Sequence, residues 1–159
     1  MDNISSNNIE VALIQHKLIN CNAEMITPPS EVAGGSIEVI YNVETPKKTG
    51  VFKKNDSFEL KLLVEINGKL KTEEIAFRVS CKMEGNFRIV NCDDIGVSTD
   101  NTIKLWSLSA NLLCPLAVQF AMDMVSRMGY KNVNVPLFIP RLNLLGINRK
   151  KNPSKKTKK

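Results

Sequence analysis

The 159-residue sequence predicts an α+β domain, a four-stranded antiparallel sheet backed by one long helix with a proline kink. Two patterns predict it. Between Ile9 and Met83 apolar residues repeatedly alternate with polar ones, the period of half-buried strands. From Ile103 to Gly129 the spacing changes to three and four residues, the period of a helix. Strands followed by a helix imply that the helix lies across the apolar face of a single sheet.

The first strand is expected from Ile9 to about Ile26, where Ile9, Val11 and Leu13 alternate with Glu10 and Ala12. Pro28–Pro29 ends it, and Gly34–Gly35 makes a flexible loop. In the second strand Ile37, Val39, Tyr41 and Val43 share one face, with Glu38, Asn42 and Glu44 on the other. A basic, turn-rich excursion from Pro46 to Asp56 leads to the third strand, Phe58–Ile66. Asn67–Gly68 is a strong two-residue hairpin signal and predicts a turn there. The fourth strand then spans roughly Thr72–Met83. A further turn is expected at Glu84–Asn86, before a Phe87–Val90 run that either forms a short fifth strand or extends the fourth.

The helix is apolar on two stripes. Leu105, Leu108, Leu112, Leu116, Phe120, Met124 and Met128 mark one; Trp106, Ala110, Leu113, Ala117, Ala121 and Val125 mark the other. A sheet covers only one, so the second needs another subunit, another element or a ligand. Pro115 predicts a bend or a fresh start, with Ser109 or Asn111 as caps. Gly129 after Arg127 is placed to end the helix in the left-handed conformation. Met122, Met124 and Met128 crowd its end, as core filler or as an adaptable binding surface. Charged and amide side chains interrupt the run, which argues against a membrane span.

Residues 1–8 are polar and expected to be disordered, residues 9–147 form one domain, and residues 148–159 form a basic disordered tail. The net charge is +6, but seven positive charges lie from Arg149 to Lys159, leaving a body of −1. Four cysteines without a paired spacing and the single His16 make a poor zinc site. They read as reduced thiols in a cytoplasmic protein, since the polar N-terminus has no leader-like apolar segment. No catalytic constellation, cofactor fingerprint or metal site emerges, so the chain does not read as an enzyme. Asp93–Asp94 matches no defined cation site and reads as solvated turn chemistry. The informative excess is apolar surface.

The segment Leu112–Gly129, LLCPLAVQFAMDMVSRMG, resembles the SecB family of export chaperones. Pro115 and the run Met124-Val125-Ser126-Arg127 match the family pattern, with Met128 inserted before Gly129. Upstream, Ile37–Glu44 is similar to the family's second strand, and Phe58–Ile66 with Glu73–Phe87 to its hairpin. Val133–Pro136 resembles the stretch after the helix. The likeness implies a dimer of dimers that holds unfolded polypeptides or preproteins in apolar grooves without ATP. It implies client contacts at Val39, Tyr41 and Val43, and at Val133, Val135 and Pro136. It points to SecA as a partner, or to a toxin–antitoxin pair served by a SecB-like chaperone. The chain departs from the family in its basic tail, and 139–150 offers little of the family's closing helix. On a solvent-facing groove, Tyr41→Asp is expected to weaken holding while sparing the fold. The alternative reading is a nucleic-acid or RNA-associated protein using the lysine tail, whose binding would be salt-sensitive and sequence-blind.

Overall fold

A computed structural model describes residues 8–46, 51–92, 99–139 and 143–145. The expected disorder of the N-terminus, the Asp93–Asp94 pair and the basic tail fall outside the described residues. Strands β1 (Glu10–Met25), β2 (Gly35–Glu44), β3 (Ser57–Leu70) and β4 (Ile75–Asn91) precede one helix, α1 (Thr99–Arg127). A three-residue strand, β5 (Asn143–Leu145), follows. The sheet order is β1-β4-β3-β2-β5. Pairing is antiparallel among β1 to β4, and β5 joins β2 in parallel. This is the expected α+β architecture, with one short strand added at the β2 edge.

Alternation decides which face is buried. Along β3, Phe58, Leu60, Leu62, Val64 and Ile66 are buried, while Glu59 is exposed and Lys61 and Glu65 are half-buried. Their register partners on β4, from Phe87 through Met83 and Cys81 to Val79, continue the same apolar face. On the helix, Leu105, Ala110, Leu113, Ala117, Ala121 and Val125 are buried against it. The opposite face of the sheet is laced with ion pairs. Glu84 lies between Lys17 at 2.7 Å and Lys61 at 3.6 Å, and Glu38 meets Lys69 at 3.3 Å.

Several expectations are corrected. Asn67–Gly68 is not a turn. β3 runs on to Leu70, pairing with the start of β2, and the chain reverses at Leu70–Glu74 with Glu73 at φ 67°. A Cβ on Gly68 would come within 2.1 Å of the Phe77 ring, so that glycine admits a covering aromatic rather than a reversal. No turn occurs at Glu84–Asn86 either, and β4 passes straight through to Asn91. In β1 the register shifts between Leu13 and Gln15 and between Leu18 and Asn20. Ile14 and Ile19, left without register partners there, are exposed. These bulges explain why the alternation fades after Leu13.

The helix does not restart at Pro115. It is continuous, and Ser109 and Asn111 do not cap it. The Ser109 hydroxyl donates to the Leu105 carbonyl at 2.8 Å, and the Asn111 amide to Ser107 at 3.0 Å. Gly129, at φ 90°, ends the helix as expected, its N–H donating to Ser126 at 2.9 Å. Asn101–Arg127 is long and apolar enough to cross a membrane by length and composition, yet one side of it covers the sheet.

The cysteines are a further correction. Cys21 and Cys81 are joined in a disulfide between β1 and β4, because the register sets them directly opposite, Cα atoms 4.2 Å apart. Cys92 and Cys114 are free. The basic excursion also contributes to the core. Phe52, buried, meets Trp106 edge-on at 5.4 Å, and Phe58 lies 5.1 Å from the same indole.

Candidate functional site

β2 is the strand on which the sequence placed half of the client contacts, and the fold brings the other half to it. After Gly129 the chain turns back along β2. The Tyr41 hydroxyl donates to the Pro136 carbonyl at 2.9 Å. Three residues on, the Ile139 N–H donates to the Asn111 side-chain oxygen at 2.9 Å. Then β5 pairs with Asn42, Val43 and Glu44. The post-helix chain therefore meets β2 at two places, at Tyr41 through Pro136 and at Asn42–Glu44 through β5.

The six expected contacts are not equally accessible. Val39, Val133 and Val135 are half-buried and Pro136 is exposed. Tyr41 is only 6% exposed, and Val43 is fully buried. The expectation that Tyr41 faces an open groove, so that Tyr41→Asp spares the fold, is corrected. Its ring lies beneath the post-helix segment and close to Cys114. Burial pushes the Tyr41 hydroxyl up to about 12 and the Cys114 thiol up to about 11. Both stay protonated at neutral pH, and the hydroxyl remains a donor.

At the start of β2 lies a cleft of about 460 Å³. Val32, Ile37, Phe77, Tyr130 and Val133 supply its apolar wall. Tyr130 shapes it. Its ring packs on Phe77 at 4.4 Å, and its hydroxyl reaches the carbonyls of Thr27 and Ala76. The loop before β2 is thereby tied to the end of the helix. A cleft of this size accepts a large apolar side chain, and the walls carry no charged pair suited to bond-breaking chemistry. Among the described residues no cluster of three or more His, Cys, Asp or Glu side chains is placed to hold a metal.

A second apolar surface lies on the helix. Leu108, Leu112 and Phe120 are 38, 44 and 40% exposed, with Leu116 half-buried among them. The sheet leaves this part of the first stripe uncovered, whereas Leu105, expected on the same stripe, is fully buried. Met122, Met124 and Met128 are partly buried against the core. Sequence reasoning missed Asn111, Tyr130 and Ile139 as parts of the groove. The usable signal at Asn111 was an amide side chain four residues before Pro115, in an otherwise apolar run.

No protein-family model matches this chain, and no curated protein matches it. Among solved structures it is similar to a SecB-like chaperone of Mycobacterium tuberculosis in complex with a ChAD peptide from the HigA1 antitoxin. That likeness has a TM-score of 0.60 at 11% identity, covering 82% of this chain and 91% of the other. A Streptococcus agalactiae protein of unknown function is matched at TM-score 0.26 and 12% identity, over 73% of this chain and 93% of that one. The fold is SecB-like: an antiparallel four-stranded sheet with one long helix laid across it.

Proposed function

We propose that this chain is an ATP-independent chaperone that holds extended polypeptide segments in the groove between β2 and the post-helix chain. The observation that carries the reading is the cleft, about 460 Å³ and apolar-walled, at the start of β2, the same strand whose far end pairs backbone to backbone with β5. Apolar side chains dock in such a cleft, and main-chain hydrogen bonds hold the client in a sequence-tolerant way. The antitoxin peptide bound by the similar mycobacterial chaperone supports an antitoxin segment as one client class. Export preproteins delivered to SecA are the other. The test is light scattering of a chemically denatured client diluted into buffer with the protein and without nucleotide. Suppression near stoichiometric amounts is expected. Unchanged aggregation at tenfold excess over client rules the reading out.

The same reading includes a homo-oligomer, formed over the uncovered helix stripe. Leu108, Leu112, Leu116 and Phe120 are evenly spaced, so two antiparallel helices related by a twofold axis pair Leu108 with Phe120 and Leu112 with Leu116. Such a stripe is self-complementary and matches the apolar core of a small isologous interface. Native mass spectrometry reads the assembly directly, and a monomer at micromolar concentration removes it.

A further inference from the structure

We infer that the Cys21–Cys81 bridge is a redox switch on the cleft at the start of β2: bridged, the cleft holds clients, and reduced, it releases them. The inference names the regulation of that cleft and rests on the chaperone reading above. The last part of β1 carries it. β1 is an edge strand with β4 as its neighbour, and its register shifts between Leu18 and Asn20, just before Cys21. Beyond the bridge, Asn22 to Ile26 are all exposed, so burial does little to keep that stretch on β4. Its ion pair, Glu24 with Arg78 at 3.7 Å, is exposed at both partners and contributes little. The bridge is the firm anchor. It joins half-buried Cys21 to Cys81, which is fully buried in the core.

The anchored stretch leads directly into the wall of the cleft. Met25 pairs with Phe77, and the Ile26 and Thr27 amides donate to the Ala76 carbonyl at 2.8 and 2.9 Å. The Thr27 carbonyl accepts the Tyr130 hydroxyl, and Pro29 lies over Gly129. Ala76, Phe77, Tyr130, Pro29 and Val32 all line the cleft. Freed from its anchor, the end of β1 loosens from β4, and the Pro29–Val32 wall moves with it. The step is thiol–disulfide exchange with a dithiol reductant. A thiolate of the reductant attacks the Cys21 sulfur, the more accessible of the two, and the S–S electron pair leaves with the Cys81 sulfur, which takes up a proton. The reductant's second thiolate then attacks its own sulfur in the mixed disulfide, expelling Cys21, which is protonated in turn. Two electrons and two protons pass to the protein, and the reductant leaves as its disulfide.

The test compares the full-length protein, oxidised and then reduced with dithiothreitol, at a temperature where circular dichroism shows both forms folded. One readout is light scattering of a cysteine-free, chemically denatured client; the other is the backbone amide NMR spectrum. Reduction is expected to raise the amount of protein needed for half-suppression by about fivefold or more, as for a cleft formed in about a fifth of the molecules. The amide signals of Val32 and Tyr130 are expected to shift or broaden, while those of Phe58 and Leu60 on β3 keep their positions. Cys21→Ser is expected to match reduced wild type with or without dithiothreitol, which separates the bridge from the free thiols Cys92 and Cys114. A reduced protein that suppresses aggregation as well as the oxidised one overturns the inference, as do Val32 and Tyr130 signals that stay in place. A reduced form that is unfolded wherever the oxidised form is folded also overturns it, because the bridge then supports the whole domain rather than one wall. If the oxidised protein itself suppresses no aggregation, the chaperone reading falls, and the amide signals alone decide whether the bridge controls the cleft.

Discussion

Replacing Tyr41 by phenylalanine and by aspartate separates its hydroxyl from its ring. The side chain is 6% exposed and makes one hydrogen bond, from its hydroxyl to the Pro136 carbonyl at 2.9 Å. Tyr41→Phe keeps the ring and removes that bond. Pro136 is exposed, so water reaches its carbonyl, and the loss is near the net worth of one hydrogen bond, about 0.5–1.5 kcal/mol. In a domain of this size that lowers Tm by roughly 1–6 °C. Tyr41→Asp removes the ring from a packed site, a loss of about 3–5 kcal/mol for a buried aromatic, and sets a charge in a buried, apolar one. Its Tm is expected to fall by roughly 6–20 °C, or the protein to be recovered unfolded. Thermal melts by circular dichroism at neutral pH read both variants. An aspartate variant that melts within about 2 °C of wild type contradicts the buried placement. A phenylalanine variant as damaged as the aspartate one contradicts the assignment of most of the energy to the ring.

Four further outcomes follow from the same structure. The Cys21–Cys81 bridge closes a 60-residue separation, and chain-entropy reasoning assigns it about 4 kcal/mol, so reductant or Cys81→Ser lowers Tm by roughly 8–16 °C. Thiol titration of the denatured, unreduced protein is expected to find two free cysteines, Cys92 and Cys114; alkylation in intact cells shows whether the bridge forms where the protein works. Leu112→Asp, at a position 44% exposed on the uncovered stripe, is expected to leave the melt nearly unchanged and to convert the assembly to a smaller species by light scattering; an unaltered mass means that the stripe is not the interface. Glu84→Gln removes the carboxylate whose pKa is held low, chiefly by the hydrogen bond from Lys17, so its stabilisation exists above the unfolded value of about 4.3 and fades as pH falls through the lower folded value. The Tm gap between wild type and Glu84→Gln is therefore expected to close on acidification, and a gap constant from pH 7 to pH 3 refutes the ion-pair account.

The parts of this fold that were legible share one cause. Where a strand is paired on both sides and one face is buried, as in β3, selection for burial writes a period of two into the residues themselves, and Phe58 to Ile66 display it. The same holds for the helix, whose two stripes predicted one buried and one uncovered face. Local signals failed where a distant residue overruled them. Asn67–Gly68 has every local feature of a turn, yet Phe77 needs the missing Cβ of Gly68 to lie flat over β3, and the hairpin closes beyond Leu70 at a left-handed Glu73. The cysteine pairing failed likewise, since Cys21 and Cys81 become neighbours only through the register of β1 on β4.

The groove was half legible for a related reason. Tyr41 and Pro136 were both named from the sequence, but nothing in a linear pattern says that one hydrogen-bonds the other across 95 residues. Asn111 and Ile139 were passed over because each has an ordinary local reading, an amide on the polar edge of a helix and an aliphatic in a poorly patterned tail. Their meaning comes from being opposite one another. An apolar chain that lacks a period of its own, as 131–139 does, is therefore informative in combination with a strand that has one.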